Sequence, residues 1–294
     1  MIVSKLTGGM GNQLFQYAIA RSMSLKFNTD LKFDITSFQW DELREFELTN
    51  FNVFGGIASE SEIQKVKSFG PTLKNRIKYK LINKKIPYYL FSNIKEKGFD
   101  YNTDIELLDN KNIYLDGYWQ SERYFIKYRS FLLNEISLKN KLSKVSVQYQ
   151  KLIEQIKNSV SLHVRRGDYI KNSETNTFHG VCDIEYYKKS INYMLQYLNN
   201  PTFFIFSDDK EYVKEVFSTI PNCIIVNGVK VDVEELFLMS YCKHNITANS
   251  SFSWWGAWLN KNESKIVISP KKWFANLDMQ NQTNDLIPSD WLKI

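Results

Sequence analysis

SVSLHVRRGD, residues 159–168, is a strand pattern that ends in a polar turn. Polar and apolar residues alternate as far as Val164, which is typical of a strand. From there to residue 268, helix patterns and short strand patterns alternate. We predict helices at 183–198, 210–217, 232–242 and 252–259, and strands at 203–206, 223–226, 245–248 and 265–268. This alternation predicts an α/β fold with a mostly parallel, doubly wound sheet.

The first half of the chain begins with the same alternation. Its predicted elements are a strand at 2–6, a helix at 13–27, strands at 31–34 and 113–116, and a helix at 121–133. Between the second and third of these strands the pattern is too irregular to assign. We therefore predict two α/β domains, 1–155 and 156–270, and a segment 271–294 that packs back on the first domain.

The composition excludes several classes of protein. With 43% hydrophobic and 24% charged residues, the chain is typical of a folded globular protein rather than a disordered, collagen-like or coiled-coil one. Its three scattered cysteines form no C-x-x-C pair, so neither a disulfide framework nor a structural zinc site is predicted. No apolar run approaches the ~20 residues of a membrane-spanning helix, and no signal-peptide pattern opens the chain. We expect a cytoplasmic protein without a nucleic-acid partner.

GGMGNQ, residues 8–13, lies between the first strand and the first helix. A glycine turn there lets a ligand approach the amides of a helix N-terminus. The first two glycines of the dinucleotide fingerprint are present, but Leu14 occupies the third position, and Asp34 follows at the end of the next strand. A nicotinamide-dependent oxidoreductase and a turn used only for geometry both stay open. The amides Asn12 and Gln13 favour a ligand, because such groups bind hydroxyls.

The turn after the strand at 159–164 carries two adjacent arginines. It lies where a parallel strand ends, which is the side of an open sheet that binds ligands. Arg165 and Arg166 suit phosphate, because the planar guanidinium gives bidentate hydrogen bonds. Asp168 can hold an arginine in place or act as a base. A salt-bridged surface turn is the alternative, and His163, inside the strand, is more typical of a packed core residue.

HNITANSSFSWW, residues 244–255, is a strand that ends in Asn-Ser-Ser before a helix. Serine and asparagine are good N-caps, and amides at this point also bind phosphate oxygens, so both interpretations stay open. Asp208 and Asp209 lack the D-x-D spacing of a metal clamp and are predicted to cap the next helix. Together the three strand-end loops indicate a ligand with a diphosphate in a cleft between the domains.

A basic segment lies between the two parts of the first half in which helices and strands are predicted. Residues 63–95 contain nine basic side chains and no acidic one. Leu73, Ile77 and Leu81 recur within it at helical spacing. The segment is either a solvated surface helix or a helix that lies on an anionic membrane.

The motifs GGMGNQ and HVRRGDY, with the run 232–259, together resemble the α-1,2-fucosyltransferases of glycosyltransferase family 11. The resemblance is strongest over 6–27, 158–170 and 203–269. The pattern H-x-R-R-x-D is shared with α-1,6- and protein O-fucosyltransferases, whereas the first motif and the SFSWW segment are specific to the α-1,2 group. Animal members carry an N-terminal membrane anchor, and because we expect none here, the resemblance is to bacterial members.

This resemblance implies a GT-B-like fold, with two Rossmann-like domains facing an interdomain cleft and the nucleotide sugar held mainly by the second. It implies inverting transfer of L-fucose from GDP-β-L-fucose to the 2-hydroxyl of a terminal β-galactose, on an oligosaccharide or surface-glycan precursor. No metal or other cofactor is implied. The resemblance also favours the cytoplasm, at the inner face of the membrane if the basic segment binds lipid.

The resemblance further implies roles for individual residues. Arg165 is expected to bind the β-phosphate, and Asp168 is the candidate base. Asn12 and Gln13 are expected to face the cleft from the acceptor side. The rest of GDP is expected to contact His163, His244, Asn249, Ser250, Ser251 and Phe252. A non-catalytic glycan-binding protein is the remaining alternative, because the aromatic content of 15% suits sugar stacking.

Overall fold

The computed structural model describes residues 1–167, 177 and 180–294. The chain forms two compact units, Met1–Ser137 and Leu138–Ile294. Each unit has its own parallel sheet with helices, as the alternating sequence pattern predicts.

The first unit contains a five-stranded parallel sheet in the order β3-β2-β1-β5-β4. Its strands are β1 (Ile2–Lys5), β2 (Leu31–Asp34), β3 (Gly56–Ile57), β4 (Asn93–Lys95) and β5 (Ile113–Asp116). Its helices are α1 (Met10–Phe27), α2 (Glu60–Ser68), α3 (Leu73–Leu81) and α4 (Arg129–Glu135). Short 3₁₀ turns lie at Thr36–Gln39, Leu48–Asn50, Tyr88–Leu90, Thr103–Leu107, Glu122–Tyr124 and Ile126–Tyr128.

One predicted helix of this unit is different in the structure. Instead of one helix over 121–133, two 3₁₀ turns precede the two-turn helix α4. Phe125 lies between the two turns with φ −141° and is fully buried, so the chain leaves the helical conformation where this ring enters the core. The unassigned region contains β3 and β4, which have only two and three residues and therefore leave little periodicity in the sequence.

In the described part of the second unit, six parallel strands follow the order β11-β10-β9-β6-β7-β8. The strands are β6 (Ser159–Val164), β7 (Thr202–Ser207), β8 (Cys223–Ile225), β9 (His244–Ile246), β10 (Val267–Ser269) and β11 (Leu292–Lys293). The helices are α5 (Lys144–Gln155), α6 (Ile184–Tyr197), α7 (Lys210–Phe217), α8 (Asp232–Tyr241), α9 (Ser251–Trp258) and α10 (Leu277–Gln280). The elements predicted between 159 and 268 are confirmed, with ends that differ by at most two residues.

The core of the second unit lies on both faces of β6 and β7. On one face Leu162 and Ile205 pack in a cluster that includes Met194 of α6. On the other, Phe204 packs in a cluster that includes Leu238 of α8. Successive strand side chains point to opposite faces, so a strand covered on both faces is buried throughout, as β6 is.

The boundary between the units lies earlier than the predicted one at 155/156. Helix α5 belongs to the second unit, because Glu234 of α8 accepts hydrogen bonds from Ser143 and Ser146 at the start of α5. Ile153 of α5 also packs with Leu238. The sequence pattern of α5 shows an amphipathic helix but does not show which sheet it covers.

The C-terminal segment 271–294 is part of the second unit, and its packing on the first domain stays a prediction. It adds β11 to the edge of the sheet beside β10. The ring of Trp291 lies 5.4 Å from that of Trp254 in α9. Among the described residues, no helix has both the length and the apolar character needed to cross a bilayer.

Candidate active site

Three neighbouring strands of the second unit end at one edge of its sheet. β6 is flanked by β9 and β7, and all three are parallel, so their carboxyl ends lie together. The polar residues that follow these strands are therefore neighbours in space although they are far apart in sequence. Ligands of open α/β sheets bind at this edge.

Asp208, after β7, holds the arginine turn that follows β6. Its Oδ2 lies 3.1 Å from Nη1 of Arg165, and both side chains are about a quarter exposed. Its Oδ1 accepts a hydrogen bond from the backbone N–H of Arg166 at 2.9 Å. A Cβ on Gly167 would lie 2.8 Å from Oδ2 of Asp208, so the close approach depends on glycine. The sequence predicted Asp208 only as a helix cap, and Asp168 lies outside the described residues.

Arg166 contacts a different set of groups from Arg165. Its Nε lies 3.4 Å from Oδ2 of Asp209, and its guanidinium carbon lies 3.5 Å from the ring centroid of Tyr212 in α7. Asp209 also caps α7 by accepting a hydrogen bond from the N–H of Tyr212, which confirms its predicted capping role. The guanidinium groups of the two adjacent arginines are therefore paired with different carboxylates.

His163 is a buried, neutral imidazole beside the start of α9. Burial, followed by the positive charge of Arg165, lowers the pKa of His163 to about 3. Its ring lies 5.7 Å from that of Phe252. Within the described residues, Nδ1 has no hydrogen-bond partner. His163 therefore contributes a neutral polar atom at this edge, not a positive charge.

The first turn of α9 is capped as predicted. Ser250 Oγ accepts a hydrogen bond from the N–H of Phe252 at 3.3 Å. Ser253 Oγ accepts one from the N–H of Ala248, which fixes the chain between β9 and the helix. Ser251 and Phe252 are half-buried, so they border the surface at the same edge as Arg165.

Asn249 ties three segments of the second unit together. Its Nδ2 donates to the carbonyl oxygens of Gly180 and Trp273 at 3.1 Å, and its Oδ1 accepts from Sγ of Cys182. Only 3% of Asn249 is exposed. The geometry therefore indicates that Asn249 positions the surrounding loops.

His244 lies away from the other predicted residues. It is the first residue of β9 and is paired with Val160, near the amino end of the sheet. Arg165 is five residues further along β6 from Val160, which is on the order of 16 Å. His244 Nδ1 already accepts a hydrogen bond from the N–H of Ile266. The structure therefore does not bring His244 to the edge where Arg165 lies, and we leave His244 out of the proposed site.

In the first unit, the glycine turn is supported from inside by Gln13. Its Nε2 donates to the carbonyl oxygens of Gly8 and Glu45 at 2.8 Å, and its Oε1 accepts from the N–H of Glu47. Gln13 is fully buried and its hydrogen bonds are internal. Asn12 is half-buried and accepts a hydrogen bond from Gln120. Of the two predicted acceptor-side residues, only Asn12 borders the surface.

The two residues that bear on dinucleotide binding, Leu14 and Asp34, lie inside the first unit. Leu14 is fully buried and Asp34 is 2% exposed. Asp34 accepts hydrogen bonds from the N–H and the hydroxyl of Thr36 and from the hydroxyl of Tyr114. Burial opposes ionisation of Asp34, but these hydrogen bonds outweigh it and hold its pKa below the usual value. Its carboxylate is thus engaged within the chain.

Sequence reasoning missed Glu96, which follows β4. The carboxylate accepts hydrogen bonds from the N–H groups of Tyr118 and Trp119 at 2.6 and 2.9 Å. Burial raises the pKa of Glu96 to about 7. Its place at a strand end is the signal that could have found it, but β4 is too short to predict. Among the described residues, no group of three or more His, Cys, Asp and Glu side chains could hold a metal ion.

The fold is shared with solved structures of low sequence identity. Arabidopsis thaliana FUT1, solved with GDP, has a TM-score of 0.52 and 10% identity, over 90% of this chain and 69% of that one. POFUT1 in complex with GDP has a TM-score of 0.50 and 12% identity, over 90% and 95% of the two chains. These likenesses confirm the predicted GT-B-like fold with two Rossmann-like domains.

Relatives from Escherichia coli match along the whole chain. The O-antigen biosynthesis glycosyltransferase WbnK is 32% identical and covers 99% of both chains. An alpha-1,2-colitosyltransferase is 34% identical and covers 100% of this chain and 99% of its own. The profile of Glycosyl transferase family 11 matches residues 1–294. The nicotinamide-dependent oxidoreductase is thereby excluded, and this chain belongs to glycosyltransferase family 11.

Proposed function

We propose that the protein transfers L-fucose from GDP-β-L-fucose to the 2-hydroxyl of a terminal β-galactose, with inversion at the anomeric carbon. The acceptor is an O-antigen or related surface-glycan precursor. One observation carries the proposal: Arg165, fixed by Asp208, lies at the same sheet edge as the start of α9. A guanidinium and a helix N-terminus are the groups that bind a diphosphate without a metal.

The proposed chemistry follows from charge. Breaking the bond between C1 of fucose and the β-phosphate oxygen leaves extra negative charge on GDP. Arg165 and the first amides of α9 stabilise that charge more strongly in the transition state than in the ground state. Asp208 keeps the guanidinium oriented, so little reorganisation is needed during the reaction. Asp168 stays a prediction as the base.

The remaining donor and acceptor contacts are assigned by exposure. Phe252 and Ser251 border the proposed GDP site, whereas the capping residue Ser250 is buried and 8% exposed. The ring of His163 lies 5.7 Å from that of Phe252. Asn249 holds the adjoining loops through its hydrogen bonds to Gly180 and Trp273. In the first unit, Asn12 is proposed to contact the acceptor.

The test is to incubate the protein with GDP-fucose and a panel of β-galactosides and to analyse the products by mass spectrometry and linkage analysis. A fucosylated product with a 1,2-linkage supports the proposal. A product with another linkage, or release of GDP without transfer to any galactoside, contradicts it. Glycan binding without any turnover indicates the non-catalytic alternative.

Colitose is the second candidate for the transferred sugar. The 34% identity with an alpha-1,2-colitosyltransferase over the whole chain favours it. Colitose lacks the 3-hydroxyl of fucose, and a site that hydrogen-bonds a hydroxyl rejects the deoxy analogue by about 10⁴-fold or more. Comparing kcat/KM for GDP-fucose and GDP-colitose decides between the two donors. A ratio above one hundred in favour of GDP-colitose overturns the fucose assignment.

The proposal predicts activity without a divalent metal ion. Arg165 and the helix amides supply the positive charge that a metal supplies elsewhere. We therefore expect unchanged turnover after treatment with EDTA and dialysis. Loss of activity that Mg²⁺ or Mn²⁺ restores would contradict the metal-free mechanism.

We also propose that α3 lies on an anionic membrane, on the cytoplasmic side where a lipid-linked glycan precursor is available. Leu73, Ile77 and Leu81 lie on one side of α3 and are 74%, 51% and 81% exposed. Lys74 and Lys78 are on the same helix, and residues 63–95 contain no acidic side chain. An apolar stripe with flanking lysines is typical of an interfacial helix.

The membrane proposal is tested by sedimentation with vesicles that contain anionic lipid. We expect binding that decreases with salt and that falls at least tenfold when Leu73, Ile77 and Leu81 are all changed to Gln. The control is Leu277→Gln, which alters an apolar residue that is 70% exposed outside this helix. Equal binding of both variants, or no binding of the unaltered protein, excludes α3 as the membrane contact.

A further inference from the structure

The carboxyl edge of the first sheet has a second cluster of polar and aromatic side chains. β4 and β5 are parallel neighbours in which Lys95 pairs with Asp116. Glu96 follows β4, its N–H donates to the carbonyl oxygen of Asp116, and residues 117–120 follow β5. The cluster therefore lies at the ligand-binding edge of this unit.

The loop after β5 holds the carboxylate of Glu96 in one orientation. Oε2 accepts from the N–H of Tyr118, and Oε1 accepts from that of Trp119. A Cβ on residue 117 would overlap the Cβ of Glu96, so Gly117 allows the loop to approach. A carboxylate oxygen accepts more than one hydrogen bond, so this arrangement orients Glu96 and leaves acceptor capacity for a hydroxyl.

Two buried polar atoms in the loop that follows β5 indicate a ligand. In the described part of the chain, Trp119 Nε1 and Gln120 Oε1 have no hydrogen-bond partner, although the side chains are only 1% and 6% exposed. Gln120 Nε2 donates to Oδ1 of Asn12, which borders the surface. Trp119 has φ +58°, a conformation that is rare for a bulky residue and frequent at functional sites.

Tyr118 adds an aromatic surface to the cluster. It is 37% exposed, and its ring stacks on that of Phe99 with an interplanar angle of 15° and a centroid distance of 6.4 Å. An aromatic ring with a polar end suits a ligand that is apolar on one side and hydroxylated on the other. A sugar ring has this character, so the cluster fits the acceptor saccharide better than it fits a phosphate.

We propose that Glu96 is the general base, which removes the proton from the acceptor hydroxyl, and that Tyr118 supports the acceptor sugar ring. This inference rests on the proposed function. In the step, the hydroxyl oxygen forms a bond to C1 of the donor sugar and its proton passes to the Glu96 carboxylate. The bond between C1 and the β-phosphate oxygen breaks, and its electron pair leaves with GDP.

The surroundings of Glu96 are consistent with this role. Burial raises its pKa to about 7, and a general base works best when its pKa lies near the working pH. The charges that act on the adjacent Tyr118 phenol are those of Glu96, Lys5 and Asp41. Lys5 is also paired with Asp116 at 3.2 Å. Burial and then the Glu96 charge raise the pKa of that phenol.

The experiment compares Glu96→Gln with Asp168→Asn, the other candidate base. We expect Glu96→Gln to lower kcat/KM for transfer by about 10²–10⁴-fold, while the affinity for GDP stays unchanged. The profile of kcat/KM should rise with pH to a plateau through an apparent pKa near 7 in the unaltered protein and in Asp168→Asn. Glu96→Gln should lack that rise. Loss of the rise only in Asp168→Asn overturns the inference.

Glutamine cannot accept both loop N–H groups, so two further measurements guard against a folding defect. Formate added to Glu96→Ala should restore transfer at least tenfold if a proton acceptor is missing, and should have no effect if only loop structure is lost. A pH-independent kcat/KM from pH 5.5 to 8 in the unaltered protein refutes the role without any variant. Absence of transfer by the unaltered protein instead refutes the proposed function.

Discussion

At the scale of single residues, hydrogen-bond partners decide which polar side chains are available to a ligand. Asn12 and Gln13 are adjacent amides in one motif, yet Gln13 is fully buried with internal partners, whereas Asn12 borders the surface. Arg165 and Arg166 are adjacent arginines, yet they contact different carboxylates. The motif predicts the residue types, but the partners come from other strands.

Arg165 provides the test at this scale. We expect Arg165→Ala and Arg165→Lys to lower kcat by about 10²-fold or more, because one charge-stabilising donor to the leaving GDP is lost. Lysine keeps the charge but not the planar fork. The measurement is steady-state transfer, with circular dichroism to verify folding.

The matched control is Arg166→Lys. Arg166 contacts Asp209 and Tyr212 of α7, so its loss should change kcat by a smaller factor than the loss of Arg165. If a well-folded Arg165→Lys keeps near-normal kinetics, Arg165 does not stabilise the departing phosphate.

At the scale of elements, parallel strand order brings together loops that are distant in sequence. The turn after β6 contacts Asp208 after β7 and lies at the same sheet edge as the start of α9 after β9. A similar hydrogen-bonded anchor joins α5 to α8, because Glu234 accepts from the N–H and hydroxyl of Ser143 and from the hydroxyl of Ser146. This anchor assigns α5 to the second unit.

The anchor predicts a pH-dependent stability difference. Glu234→Ala should lower the free energy of unfolding at pH 7 by about 1–3 kcal/mol, because buried hydrogen bonds of Ser143 and Ser146 are lost. Burial opposes ionisation of Glu234, but these hydrogen bonds prevail and lower its pKa. Its contribution is therefore present above the unfolded pKa of about 4.3 and is lost as the pH falls through the lower folded pKa.

The measurement is urea unfolding of the second unit at pH 7 and below pH 4. The control is Glu211→Ala, which removes a carboxylate that is 85% exposed and paired with Lys214. We expect the Glu234 difference to shrink at the lower pH and the control to change stability by less than about 0.5 kcal/mol. A difference that stays constant with pH contradicts the hydrogen-bonded carboxylate.

At the scale of the whole molecule, the chain forms two units with one parallel sheet each. The C-terminal residues pack in the second unit. Trp291 is 6% exposed and packs on Trp254, whose Nε1 donates to the carbonyl oxygen of Leu286. β11 then extends the second sheet. The last residues are thus part of the core that supports α9 and the proposed GDP site.

This packing predicts that Trp291→Ala destabilises the second unit by about 3–5 kcal/mol, the usual cost of removing a buried aromatic side chain. Urea unfolding followed by tryptophan fluorescence is suitable, because five of the seven tryptophans lie in residues 138–294. Tyr197→Ala, at a residue that is 59% exposed, is the control and should have little effect. Equal stability of the two variants means that Trp291 does not support the core.

The sequence by itself determined the α/β class, most elements of the second sheet and the family, because alternating periodicity and strand-end motifs are local properties. Only the tertiary structure decided that Asp208 orients Arg165 and that Gln13 is internal. It also showed that His244 lies at the amino end of β9, away from the arginine turn. In the first unit, it placed Glu96 against Tyr118 and Trp119. Each of these depends on which strands are neighbours. Strand order is set by packing between residues that are distant in the chain, and no local pattern records it.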